Sequence, residues 1–284
     1  MIKVWMAGTT DVGKMREDNQ DTFSIVEHMG LGLVCDGMGG TREGKAVAES
    51  AAKGIPMLLE EALRSAPLMD VSKAKAAVRN VVVKVNNDLL AWGSSDRNLE
   101  GSGSTLVMIW FVGDSALMAH LGDSRIYRLR DGQLKQMTQD HTLAAMLLRM
   151  GRIDEEAAKT HPGRNRLTRY IGVRPTVPPD IQAVKVKEGD VFLLCSDGLW
   201  GVVPPEKIQQ IIEKETHSDI EAETDLTTKA ESDQTQGLQS ACNQLIEAAN
   251  EGGGHDNITA LLVKIGPLQT GEESLGISEP FEMR

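Results

Sequence analysis

The sequence predicts an α+β domain built on a two-sheet β-sandwich covered by helices, and three observations predict it. Short runs of aliphatic and β-branched residues, each bounded by turn residues, recur along most of the chain. Segments of helical periodicity fall between those runs in pairs, not in one-for-one βαβ alternation. The 284 residues allow one large domain, and 40% hydrophobic with 25% charged residues is an ordinary globular balance.

The opening reads as three strands, Lys3–Ala7, Thr22–Glu27 and Leu31–Cys35. From Glu43 the pattern turns helical, with Val47, Ala51, Ile55, Leu58 and Leu59 on one face, and Pro56 is expected to kink or divide that helix. A second helix is expected over Val71–Trp92, capped by Asp70 or Ser72 and stopped by Gly93. Strands follow at Ser104–Val112, Ala116–Leu121 and Arg125–Arg130, with Asp131-Gly132 as a hairpin turn into Gln133–Met137. Thr142–Met150 reads as a short helix, and residues 151 to 180 as an irregular excursion rich in Gly, Pro and Arg. Strands resume at Ile181–Val186 and Val191–Cys195, then helices at Pro205–Glu215 and Leu238–Asn250, then a strand at Ile258–Ile265. These segments make one domain over residues 1–266, with a polar acidic insertion at about 213–235 and a disordered tail at 267–284.

The net charge of -11 disfavours nucleic acid and anionic membrane as partners. It is concentrated in appendages: residues 213–235 carry -6 and residues 267–284 carry -3, leaving the body at -2. Cys35, Cys195 and Cys242 are far apart in apolar surroundings, which reads as reduced, buried thiols and not as a zinc or disulfide framework. With no apolar run long enough to span a bilayer and no signal-like start, the expected location is the cytoplasm. Nothing marks an oligomer interface, so a monomer is expected.

Four motifs place an aspartate immediately after a hydrophobic strand, beside glycine or a small polar residue. They are Leu33-Val34-Cys35-Asp36-Gly37, His120-Leu121-Gly122-Asp123-Ser124, Leu194-Cys195-Ser196-Asp197-Gly198 and, before the last strand, Gly254-His255-Asp256-Asn257. Asp21 closes Arg16-Glu17-Asp18-Asn19-Gln20-Asp21, just before a strand. Carboxylates at buried strand ends are poorly solvated and repel one another if they converge, and a cation relieves both costs. Oxygen ligands without a His/Cys cluster point to Mg²⁺ or Mn²⁺. Each motif alone is more often a turn; five together are not.

The set resembles the metal-dependent protein phosphatases, the protein phosphatase 2C-like family, in its bacterial Ser/Thr form. The matching stretches also include Gly103-Ser104-Thr105, Gly122-Asp123-Ser124-Arg125 and Thr138-Gln139-Asp140-His141, in family order. The resemblance implies a four-layer α-β-β-α fold, a central antiparallel β-sandwich flanked by pairs of helices, with a flap at about 142–180. It implies that Asp36 bridges two Mn²⁺ or Mg²⁺ ions, with the Gly37 carbonyl, Asp197 and Asp256 completing the site. Asp21 would position metal-bound water, and Asp123 matches the position of a third, weaker ion. Arg16 matches the arginine that grips the substrate phosphate, a task suited to its planar fork. The implied reaction is hydrolysis of phosphoserine or phosphothreonine in proteins by a metal-bridging hydroxide, reversing a Ser/Thr kinase.

Gln20 stands where many relatives have Glu, Thr41 where many have His, and Met38 where others carry a proton-donating His, which leaves the general acid open. His161, in the flap, is a candidate substrate contact or a surface loop histidine. Arg125 reads as a partner for nearby carboxylates, His141 and His255 as structural, and Arg164, Arg166 and Arg169 as solvated flap charges. Two other functions fit the residues less well. A silent phosphoprotein-binding module would be expected to have lost some of these aspartates; the other is a metal-dependent hydrolase of small phosphate esters or nucleotides, and the lack of a Gly-rich lysine loop weakens its nucleotide form.

Overall fold

In the computed structural model, which describes residues 2–40, 43–65, 69–95, 101–216 and 228–267, the strands form two antiparallel sheets. The first orders β1 (Val4–Asp11), β11 (Ile258–Ile265), β10 (Val191–Cys195), β7 (Arg125–Arg130) and β8 (Gln133–Gln136). The second orders β2 (Asp21–Val26), β3 (Leu31–Met38), β5 (Leu106–Val112), β6 (Ser115–Leu121) and β9 (Asp180–Lys185). The two-residue β4 (Gly103–Ser104) pairs with the far end of β3.

Strand side chains alternate between faces, and here both faces are covered, which explains the near-continuous apolar runs. In β10, Phe192 and Leu194 point into the core between the sheets, whereas Val191, Leu193 and Cys195 face the helices. In β5, Val107 and Ile109 take the inter-sheet side, and Leu106, Met108 and Trp110 the helix side. Trp110 is almost wholly buried, and its indole N–H reaches the Met29 carbonyl at 3.1 Å, so its one polar atom is satisfied.

Helices α1 (Glu43–Ser65) and α2 (Val71–Ser95) cover the second sheet. Helices α6 (Pro205–Thr216) and α7 (Thr228–Glu251) cover the first. The order helix, sheet, sheet, helix is the four-layer arrangement expected. Between β8 and β9 lie α3 (Leu143–Arg149) and α4 (Glu155–Thr160), and after β10 comes the one-turn α5 (Asp197–Trp200). All three cysteines are free and buried, and burial pushes each thiol up to about 12.

The Asp131-Gly132 hairpin has both residues at positive φ, 50° and 68°, as a type I′ turn requires. Asp70 caps α2, accepting the Lys73 N–H at 2.8 Å. Several boundaries differ from expectation: β1 runs on to Asp11 and β3 to Met38, and the excursion expected to be irregular contains α4. Helix α1 runs unbroken past buried Pro56, held by its apolar face on the sheet. Helix α2 continues through Gly93 to Ser95. Helix α7 begins at Thr228 instead of Leu238, so both described ends of the expected acidic insertion are helical. Gly237, inside α7, is a packing residue: a Cβ there would lie 2.8 Å from the Glu215 carbonyl oxygen of α6. The middle of that insertion and the expected tail from residue 268 lie outside the described residues.

Candidate metal centre

One end of the sandwich gathers the acidic motifs from both sheets. In the second sheet Asp21, first residue of β2, sits directly opposite Asp36 of β3. Asp36 is tied to Thr105 twice: its N–H donates to the Thr105 hydroxyl at 3.0 Å, and its carbonyl accepts the Thr105 N–H at 2.8 Å. Gly37 follows because nothing larger fits. A Cβ there would lie 2.4 Å from the Gly44 carbonyl oxygen and 2.8 Å from that of Gln20.

The first sheet supplies Asp197, which opens α5 just past β10, and Asp256, two residues before β11. Asp256 accepts the Asn257 N–H at 2.9 Å through Oδ1, and the Arg16 guanidinium at 2.8 Å through Oδ2. Arg16 is 54% exposed, so most of its donors still face solvent. Asn257 fastens the loop that carries Arg16. Its amide donates to the carbonyls of Val12 and Asp18, both at 3.0 Å, and its oxygen accepts the Gln20 N–H at 2.9 Å. Asp123, buried, lies in the turn by which the chain passes from β6 in one sheet to β7 in the other.

Electrostatics shows that these groups converge. Burial, then Asp21, Asp197, Asp123 and Asp256, pushes the Asp36 carboxyl well above the usual range. Burial, then Asp123, Asp256 and Asp21, raises Asp197 to about 8. Asp123 rises to about 7 through burial and then the charge of Asp140. Asp21 rises to about 6 through burial, against hydrogen bonds from Ser196 and Thr259 that pull the other way. A cation removes this mutual repulsion.

Asp21 shows how the donor set is prepared. Its Oδ2 accepts the Ser196 hydroxyl at 2.6 Å and the Thr259 hydroxyl at 2.7 Å, whereas its buried Oδ1 has no hydrogen-bond partner. Thr259 in turn meets the Thr10 hydroxyl at 2.7 Å, and Thr10 accepts the Asn19 amide at 2.9 Å. One carboxylate oxygen is thus locked by a chain of donors, and the orphaned one is left for a ligand. Five acidic side chains, an orphaned buried oxygen and a glycine carbonyl fit hard divalent ions. Among the described residues no three of these carboxylates bring oxygens within 4.8 Å of one another.

Other expected residues stand apart. His161 caps the end of α4, and its Nδ1 accepts the Gly163 N–H at 2.9 Å, a local turn contact. Met38 ends β3 paired to Gly103, and Thr41 lies outside the described residues. Arg125 forks onto Asp140 at 3.0 and 2.8 Å, in line with its structural reading. Arg169 is not a solvated flap charge: it pairs with Asp180 at 2.8 Å and donates to the Pro178 carbonyl at 2.6 Å. His120, His141 and Asp180 place ligand-type atoms within 4.8 Å of one another, but Arg169 lies 2.9 Å from His141 Nε2 and already supplies the positive charge there. The supports on Asp21 and the bond from the Trp200 indole N–H to the Asp123 carbonyl, at 3.0 Å, were not anticipated from sequence. Ser196, Thr259 and Trp200 each stand within three residues of a strand-end aspartate, the one signal that could have marked them.

A helix-covered two-sheet sandwich with buried carboxylates converging at one end has the makings of a metal-dependent hydrolase. Residues 5–258 match the protein phosphatase 2C family, and the chain belongs to it. The serine/threonine phosphatase stp of Listeria monocytogenes is 33% identical over 269 residues, which cover 93% of this chain and 97% of that protein. Protein phosphatase PhpP of Streptococcus pneumoniae is 32% identical, over 90% of this chain and 95% of its own. Among solved structures, the S. agalactiae serine/threonine phosphatase matches with a TM-score of 0.77 at 30% identity, over 93% of this chain and all of that one. The catalytic domain of the phosphatase PstP, in complex with two manganese ions, matches with a TM-score of 0.75 at 27% identity, over 94% of this chain and all of that one. The chain is thus a serine/threonine protein phosphatase of a metal-dependent family. No described helix is long and apolar enough to cross a membrane.

Proposed function

We propose that this protein hydrolyses phosphoserine and phosphothreonine in other proteins at the acidic end of the sandwich, using two Mn²⁺ or Mg²⁺ ions and a weaker third. The observation that carries the reading is the convergence of Asp36, Asp197 and Asp256 from both sheets on a site flanked by Arg16. Asp36, the Gly37 carbonyl, Asp197 and Asp256 would hold the principal ions, and Asp123 the third. When bound, such ions lower the pKa of coordinated water so that a nucleophile exists at neutral pH.

The chain's own residues do the rest. Arg16, anchored on Asp256 through one nitrogen, keeps donors free to receive phosphoryl oxygens and to stabilise charge developing on them. Asp21, with Oδ2 locked and Oδ1 open, orients the attacking water. Residues 142–180 form the flap; His161, on its half-buried turn, is the candidate there for touching the flanking peptide. No residue of this chain is assigned as the general acid, and water is left to protonate the departing alkoxide.

Phosphorylated side chains imply a kinase that made them, so the partners we infer are a cognate Ser/Thr kinase and its targets. We place the protein in the cytoplasm as a monomer, acting through one catalytic domain over residues 1–266. The test is phosphate release from a phosphothreonine peptide with Mn²⁺, Mg²⁺ or chelator, alongside Asp197→Asn. Metal-dependent release that the variant lacks is expected. Folded protein that releases nothing with either metal would make this a binding module.

A further inference from the structure

We propose that Trp200 is a positioning residue for Asp123: it fixes that carboxylate relative to Asp197 and so sets the affinity of the more weakly held cation. The inference rests on the reading of Asp123 and Asp197 as cation ligands. Asp197 opens α5 and Trp200 closes it one turn later, so the two residues move as one rigid unit. The Trp200 indole N–H donates to the Asp123 carbonyl at 3.0 Å, which joins the Asp123 turn to the helix that presents Asp197.

The indole is itself held in place. The Arg125 guanidinium lies 3.4 Å over the Trp200 ring. Arg125 is forked onto Asp140 at 3.0 and 2.8 Å and donates to the Tyr127 hydroxyl at 2.9 Å, so its plane cannot turn away. On the other side of the turn, the Gly122 N–H donates to His141 Nδ1 at 3.1 Å, and Gly122, at φ 102°, packs on Thr105 where a Cβ would lie 2.6 Å from the methyl. Those contacts hold the turn to its own side of the molecule. Beside the β7–β10 pairing of Arg125 with Cys195, the Trp200 bond ties the turn directly to α5. An ion held by one or two carboxylates, with water filling its other positions, depends on such placement for its affinity.

The experiment is calorimetric Mn²⁺ titration of the wild type, Trp200→Phe, Asp123→Asn and the double variant. Phenylalanine keeps an aromatic ring beneath Arg125 and removes the N–H donor together with part of the indole. W200F is expected to weaken the weaker step about three- to tenfold, the worth of one net hydrogen bond, and to leave the tighter step unchanged. In the Asp123→Asn background it is expected to add nothing. Equal weakening of both steps, or effects that add in the double variant, would make Trp200 a general packing residue and overturn the proposal. W200F titrating like wild type while D123N loses the weaker step overturns it alone; D123N without effect overturns the reading of Asp123 as well. If W200F does not fold, the wild type decides. Of the four tryptophan indole N–H resonances, that of Trp200 is expected to shift across the weaker step of a Mg²⁺ titration, and one that stays fixed overturns the proposal.

Discussion

Replacing Asp197 by asparagine should stabilise the metal-free protein while removing the stabilisation that metal confers. Burial and three neighbouring carboxylates raise this carboxyl from 3.8 to about 8. At about 1.4 kcal/mol per pKa unit, the fold must take up a proton that the unfolded chain has released, which costs the metal-free protein about 4–5 kcal/mol near neutral pH relative to acid. Because the carboxylates share their repulsion, about half of that, 2–3 kcal/mol, is the expected release in Asp197→Asn. For a chain of this length that is a rise in Tm of about 3–5 °C in chelator. The raised pKa means that the fold holds this proton more tightly than the unfolded chain does. Stability from this group is therefore full below about pH 4 and is lost as pH rises toward about 8, so the advantage of the variant should grow over that window. Thermal unfolding followed by circular dichroism, with EDTA and then with Mn²⁺, reads both effects. Wild type should gain from Mn²⁺ and the variant should gain much less. A variant that melts below wild type in chelator at every pH would refute the reasoning, since Asp197 would then be a net structural support.

Three further outcomes follow from the geometry. Gly37→Ala drives a Cβ into the Gly44 and Gln20 carbonyls, and should lower turnover on the order of 100-fold, the cost of about 1 Å of misplacement; unchanged kcat would show that the β3–α1 turn yields freely. Arg16→Ala should raise KM for a phosphopeptide about tenfold or more, as loss of a charge-assisted contact predicts, and an unaltered KM would mean that the phosphate is held elsewhere. Burial, then the charges of His120 and Arg169, lowers His141 from 6.5 to about 4, so its contribution to stability is present above about 6.5 and lost as pH falls toward 4. Urea unfolding should show the stability difference between wild type and His141→Asn narrowing by up to about 3 kcal/mol over that window, and a pH-independent difference would contradict it.

The strand runs were legible because both faces of each sheet are covered, leaving β5, β10 and β11 almost wholly apolar. Ile258–Ile265 and Val191–Cys195 match to the residue. The strand-end aspartates could be read one by one, because a carboxylate beside a buried strand is costly wherever it occurs. Their convergence could not, since it depends on which strands pair. Asp21 meets Asp36 through the β2–β3 register, and Asp197 nears Asp256 because β10 and β11 are neighbours. Helix ends failed where tertiary contact overrode local signals. Gly237 is small for the sake of α6, and Pro56 sits in a helix fixed by its packing. Arg169 was misread for a related reason, since its partner Asp180 stands eleven residues away across the flap.

The pairing of β1 with β11 sets an order of events during synthesis. Val4 meets Ile265 and Asp11 meets Ile258, so the first strand made has no neighbour in its sheet until the last one is available. The second sheet, with Asp21 and Asp36, can be assembled once β9 has been made; the first cannot, and Asp256 arrives only a moment before β11. Throughout that interval β1 is an unpaired edge of the kind that seeks other chains. Completing the metal centre and protecting that edge are therefore the same late step, and a chain that has not closed its first sheet also lacks the full set of metal ligands.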